Sequence, residues 1–178
     1  MFAVLDMYIL SLLNGWVGEI RFIDGLIIVF AQYIPFIVPV AFLLLLLHSA
    51  YTQKKRFFIA VSVFLSATIA YLGGVNLTHS FYNRPRPFLV YDIEHLFIEN
   101  SSSFPSGHSL FFFALAGAIY HFNKKWGSFF LFLAFLIGIA RIMAGVHYPS
   151  DVLVGAFIGF LVSYSIVRCI EKYYVRKH

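Results

Sequence analysis

Two stretches of the chain, Leu26 to Leu47 and Phe57 to Leu77, run without a charged side chain. Each approaches or exceeds the roughly 20 apolar residues a helix needs to cross a hydrocarbon core about 30 Å thick. Shorter uncharged runs follow: Gly107 to Phe122, Trp126 to Ala140 (continuing through Arg141 to Ala144), and Val152 to Val167. Aromatic residues such as Phe111, Phe112, Tyr120, Trp126, Phe129 and Tyr164 extend or anchor these short runs at the membrane interface. With 61% hydrophobic and 12% charged residues, the chain lies far outside the balance of a soluble domain.

The stretch Phe2 to Val17 is apolar but interrupted by Asp6 and Asn14, which suits an amphipathic helix in the interface. No cationic region precedes it and no small-x-small site follows, so a signal peptide is not expected. The predicted fold is all-α: a polytopic transmembrane bundle of five spans plus an amino-terminal interfacial helix, with six spans as the alternative. One membrane-embedded domain over residues 1–178 accounts for the chain, since no linker, repeat or low-complexity segment divides it.

The formal net charge is +5, yet the placement of the cations argues for topology and not for nucleic acid. Lys54, Lys55 and Arg56 fall between the first two long runs, Lys124 and Lys125 between the next pair, and Arg168, Lys172, Arg176 and Lys177 after the last. Short loops rich in Lys and Arg stay cytoplasmic. Leu77 to Pro105 and Ala144 to Asp151 then lie outside, and the carboxyl terminus lies inside. Arg84, Arg86 and Arg141 break this bias, and cations held at a membrane boundary against it invite a functional reading.

Three polar segments therefore converge on one outer face: Arg84 to Pro87, Pro105 to His108, and Arg141 through His147 to Asp151. A phosphate ester needs cationic and N–H donors around its oxygens, an in-line nucleophile, and an acid for the leaving oxygen. Ser106 stands at an N-cap position, so the first free N–H groups of the helix after it suit an anion; Gly107 lets the backbone approach closely. His147 and Asp151 are four apart around Pro149, so both side chains can share one face of a first helical turn. A carboxylate on one imidazole nitrogen leaves the other as a nucleophile, although the same pair also suits a plain helix cap. His108, at the outer end of its helix, can donate a proton to the leaving oxygen and then activate water.

On these residues the chain resembles the type 2 phosphatidic acid phosphatase superfamily, which also holds bacterial acid phosphatases and vanadium haloperoxidases. Pro105-Ser106-Gly107-His108 matches its second motif, and Arg141, His147 and Asp151 match the third. Arg86-Pro87 fits the end of the first motif, with His79 where the family has lysine; if Arg84-Pro85 is the match, Leu77 falls there, and either way the lysine is missing. The resemblance implies that His147 attacks phosphorus, that Asp151 orients it, and that His108 serves as acid and then base. Arg86, Ser106, Gly107 and Arg141 would hold the phosphate, with Arg84 and His79 as further contacts. It implies no cofactor and no metal. The Arg84-to-Phe88 string looks most like the bacterial undecaprenyl-diphosphatase branch, which implies a bacterial inner-membrane enzyme with its site outside. Its substrate would be a lipid diphosphate, undecaprenyl diphosphate going to undecaprenyl phosphate. The alternative is a lipid phosphate monoester: phosphatidic acid, phosphatidylglycerol phosphate or lipid A 1-phosphate. A transporter is the non-enzymatic reading. The acidic outer loop with Asp92, Glu94, His95 and Glu99 is expected to be a solvated face, with shaping of substrate access as the alternative, Ser101 to Ser103 a plain polar loop, and His48, His121 and His178 interfacial.

Overall fold

Pro35 and Pro39 interrupt the first long apolar run, because each lacks an N–H and crowds the carbonyl four residues earlier. The computed structural model, which describes the backbone of residues 2–177 and the side chains of residues 4–76 and 82–173, absorbs the first of them in a widened turn. Helix α2 (Arg21–Ile28) passes through a π-helical turn (Val29–Tyr33) into α3 (Ile34–Leu47), with Pro35 just beyond the π turn. Among the described residues the remaining elements are also helical: α1 (Phe2–Asn14), α4 (Gln53–Phe81), a single turn α5 (Pro87–Val90), α6 (Gly107–Phe122), α7 (Lys124–Met143) and α8 (Pro149–Lys177).

Helix α6 is the centre of the bundle, packed against α4, α7 and α8. Its buried face carries Ala114, Ala116, Gly117 and Ala118, small residues that let other helices approach. From α8, Gly155 and Gly159 meet it so closely that a Cβ on Gly159 would lie 2.5 Å from the Leu110 carbonyl oxygen. Lipid tails are as apolar as leucine, so helices in a bilayer associate through such close packing, not through a gain in burying apolar surface. Phe42 and Phe130 add an edge-to-face contact at 5.9 Å, worth about 0.5–1.5 kcal/mol. Outward, Phe36, Phe57, Leu153 and Phe157 are exposed, as suits side chains facing hydrocarbon.

Among the described residues four helices are long and apolar enough to cross a membrane: Arg21–Leu47, Gln53–Asn76, Lys124–Met143 and Pro149–Tyr173. The expected fifth span, α6, has 16 residues and covers only about 24 Å. Helix α1, with 13 residues, covers about 20 Å. Its faces are the reverse of the expected interfacial pattern. Val4, Leu5, Tyr8 and Leu12 are exposed while Asp6 and Asn14 are buried. Asn14 donates to the carbonyls of Glu94 and Met143, both at 2.8 Å, which ties α1 to the ends of α7 and of the acidic loop. The polar residues that interrupt the apolar run are thus anchors into the protein.

Candidate active site

The starts of α6 and α8 and the end of α7 meet at one end of the bundle, with the loop 91–106 laid across them. Gly145 makes the turn from α7 to α8 possible: its φ of +75° suits glycine, and the Glu94 carbonyl oxygen lies 2.5 Å from where a Cβ would stand. That turn delivers His147 to the floor of a cavity of about 240 Å³ lined by Tyr71, Arg86, Glu99, Gly107 and His108 among others.

His147 is 2% exposed. Its Nδ1–H donates to the Ser103 carbonyl at 2.8 Å, and a carbonyl can only accept, so Nε2 of the neutral ring carries the lone pair. Arg86 Nη1 lies 3.3 Å and Arg141 Nη2 3.5 Å from that Nε2. Burial first, then the two guanidinium charges, hold the His147 pKa well below its ordinary value. The ring therefore presents an unprotonated nitrogen between two cations.

The expected direct bond from Asp151 to His147 is replaced by an indirect one. Asp151 Oδ2 lies 3.7 Å from His147 Nδ1. The carboxylate turns back to the free N–H of Tyr148 at 3.0 Å, as an acidic residue in the first turn of a helix does, and takes the Ser103 hydroxyl at 2.5 Å. Ser103, read from sequence as part of a plain polar loop, thus orients His147 with its carbonyl and links it to Asp151 with its hydroxyl.

Arg86 is 2% exposed and fully engaged: Nε donates to the Ser101 carbonyl at 2.8 Å, Nη1 to the Val146 carbonyl at 2.8 Å, and Nη2 to Ser101 Oγ at 2.9 Å. Arg141, in the last turn of α7, reaches the same place from the opposite side. Glu99 bridges the two, with Oε2 2.7 Å from Arg86 Nη2 and Oε1 bonded to Arg141 Nη2. Sequence reading set Glu99 on a solvated face. The only local signals for it and Ser103 were their places just ahead of Pro105-Ser106-Gly107-His108.

Ser106 caps α6, accepting from the Ser109 N–H at 3.4 Å, and is fully buried, so its contribution toward the cavity is to fix the helix start. Gly107 lines the cavity, where a Cβ would come within 2.8 Å of the Tyr71 ring. His108 lines it as well and stacks on Phe112. Arg84 does not: Nη1 binds Asp151 Oδ1 at 2.6 Å, Nη2 binds Asp6 at 2.9 Å, and its guanidinium stacks on Tyr148 at 3.7 Å. The expectation that Arg84 contacts phosphate gives way to a structural tie from α1 to α8, since two carboxylates already claim its donors. The side chains of His79 and His178 lie outside the described residues. Among those described, no cluster of three His, Cys, Asp or Glu side chains has a metal-binding arrangement.

An unprotonated imidazole nitrogen between two guanidinium groups, with a second histidine on the same cavity, suits phosphoryl transfer. Comparison with known proteins agrees. The family model described as the PAP2 superfamily matches residues 57–174. The chain is 30% identical to the protein named bacitracin transport permease protein BcrC of Bacillus licheniformis, covering 90% of this chain and 78% of the other. It is 29% identical to the putative undecaprenyl-diphosphatase YbjG of Escherichia coli, covering 88% and 78%. The crystal structure of Aquifex aeolicus LpxE superposes with a TM-score of 0.73 at 29% identity, covering 92% of this chain and 95% of that one. Two thirds of the sequence, four membrane-length helices and the phosphate-suited cavity thus lead to one assignment: the chain belongs to the PAP2 superfamily and is an integral membrane phosphatase.

Proposed function

We propose that the chain hydrolyses undecaprenyl diphosphate to undecaprenyl phosphate through a phosphohistidine on His147. The observation that carries the reading is the Nε2 lone pair of His147 set between Arg86 and Arg141 on the floor of the cavity. Nε2 attacks phosphorus, and the P–O bond to the leaving group breaks as His108 gives its proton to the departing oxygen. Water then attacks phosphorus as His108 takes its proton, the P–N bond breaks, and inorganic phosphate leaves. Arg86, Arg141 and the backbone at Gly107 neutralise the charge on the phosphoryl oxygens, while Ser106 fixes the helix start that presents Gly107. Ser103 and Asp151 keep the imidazole in the reactive tautomer.

A lipid substrate is supported by an apolar groove of about 320 Å³ that shares Tyr71, Gly107 and His108 with the cavity. Pro35, Phe36, Phe111 and Phe112 continue it along α3 and α6, a path for a hydrocarbon tail into the bilayer. The diphosphate is supported by the name of the Escherichia coli relative and by the Arg84-to-Phe88 string. An extracytoplasmic site in a bacterial cytoplasmic membrane is supported by Lys54, Lys55, Lys124 and Lys125, which start α4 and α7 at the end of the bundle away from His147.

The test is phosphate release from undecaprenyl diphosphate, phosphatidic acid, phosphatidylglycerol phosphate and lipid A 1-phosphate, with and without chelator. Release from the diphosphate, unchanged by chelator and lost in His147→Ala, is expected. Release from monoesters alone would remove the diphosphatase assignment. Loss of activity with chelator would remove the metal-free mechanism. Turnover surviving in His147→Ala would remove the phosphohistidine, and absence of turnover in the wild type would favour the transport suggested by the name of the Bacillus licheniformis relative.

A further inference from the structure

Among the described residues lining the cavity Glu99 is the one carboxylate, and it occupies donors that the mechanism assigns to phosphate. Its two oxygens divide between Arg86 Nη2 and Arg141 Nη2, an arrangement that two oxygens of a phosphoryl group would copy. Arg86 and Arg141 are nearly fully buried, whereas the Glu99 side chain is 28% exposed and sits on the irregular loop 91–106. The carboxylate can therefore swing toward solvent while Arg86 stays fixed by Ser101 and Val146 and Arg141 stays buried at the end of α7. Although burial opposes its charge, Arg141, Arg86 and His147 hold the Glu99 carboxyl below its ordinary value. It is an anion at the pH at which phosphate is one.

Resting on the phosphatase reading above, we propose that Glu99 is a resident anion that competes with phosphate for Arg86 and Arg141 and must be displaced by the substrate. Two buried guanidinium groups would otherwise bind any phosphate, including the product. A carboxylate on the same donors weakens all such anions alike. A lipid phosphate overcomes this because its tail confines it to the membrane and raises its effective concentration at the site. Free inorganic phosphate has no such anchor and leaves as Glu99 returns. Glu99 is thus a specificity and release residue, set against small soluble phosphates.

The probes are inorganic phosphate and orthovanadate, each as an inhibitor of lipid phosphate turnover and each in direct binding to purified protein. In Glu99→Gln, both are expected to bind about tenfold tighter or more than to the wild type, with a lower KM for the lipid. Glu99→Asp keeps the charge, and with it weak binding of free phosphate. Unchanged or weaker binding to Glu99→Gln, in protein that melts near the wild-type temperature, overturns the proposal and makes Glu99 a support for the arginines. Because binding is read without turnover, that result leaves the phosphatase reading standing. A wild type inert toward every lipid phosphate would remove both.

Discussion

Two histidine–carboxylate pairs sit at opposite ends of the bundle. At one end His121 Nε2 lies 2.8 Å from Glu171, both side chains at least a quarter exposed, beside a cavity of about 540 Å³ with Lys54 and Lys55. At the other, His147 lies 3.7 Å from Asp151, both buried, beside a cavity less than half that size. By distance and by volume the first pair is the better candidate. By chemistry it is the second. His121 spends its Nε2 on the carboxylate and links α6 to α8. His147 spends Nδ1 on Ser103 and keeps Nε2 for the cavity, where two arginines surround it. A candidate nucleophile is marked by a lone pair set in a cationic pocket, not by the closeness of a carboxylate.

This contrast can be broken by substitution. His147→Ala should lower lipid phosphate turnover by about 10⁴-fold or more, as loss of a nucleophile does. His121→Ala should stay within about twofold, and a comparable loss at both ends would erase the distinction. His108→Ala is expected to cost about 10²- to 10⁴-fold in kcat, the range of general acid–base help, and a burst of lipid product without sustained phosphate release would separate the two steps. Asp151→Asn should cost about 10- to 100-fold, since the Ser103 carbonyl still fixes the tautomer, whereas Glu171→Gln should be near neutral. A loss at Asp151 as large as at His147 would mean that the carboxylate bonds the ring directly during turnover.

The smallest effect concerns pH and stability. The folded-state pKa of His147 lies below its unfolded value of about 6.5 because of burial and then of Arg141 and Arg86. Below pH 6.5 the unfolded chain takes a proton that the folded ring resists. The histidine's share of stability is present above 6.5 and lost as pH falls, at no more than about 1.4 kcal/mol per pH unit. Denaturation of purified protein between pH 7 and 5 should therefore show a steeper loss for the wild type than for His147→Ala. A slope of the opposite sign would mean that the folded ring is charged, and so not the nucleophile described.

The helices and the polar cluster at one end of the bundle were legible because both depend on local pattern. Uncharged runs gave the long helices, and the Lys and Arg bias brought Arg86, His108, Arg141 and His147 to one end. What was misread depends on direction. Asp6 and Asn14 looked like the polar face of an interfacial helix, yet both turn inward because α7, α8 and the loop after α5 supply partners there. Arg84 and Arg86 share one string and look interchangeable. A two-residue step in extended chain separates them, and Asp6 and Asp151 capture the first while Ser101 and Val146 aim the second at His147.

The sequence by itself determined that this is a membrane-embedded helical protein with a polar cluster suited to phosphate gathered at one end. Hydrophobic length and charge asymmetry act on the chain locally, before any packing is specified. The tertiary structure decided which donors face the cavity. Ser103 in place of Asp151 holds the His147 ring, Arg84 ties α1 to α8, and Glu99 bridges the two phosphate-suited arginines. Each of these is a contact between segments distant in the chain. Hydrogen bonds a few ångströms long are set by how α6, α7 and α8 pack, and no spacing along one segment encodes them.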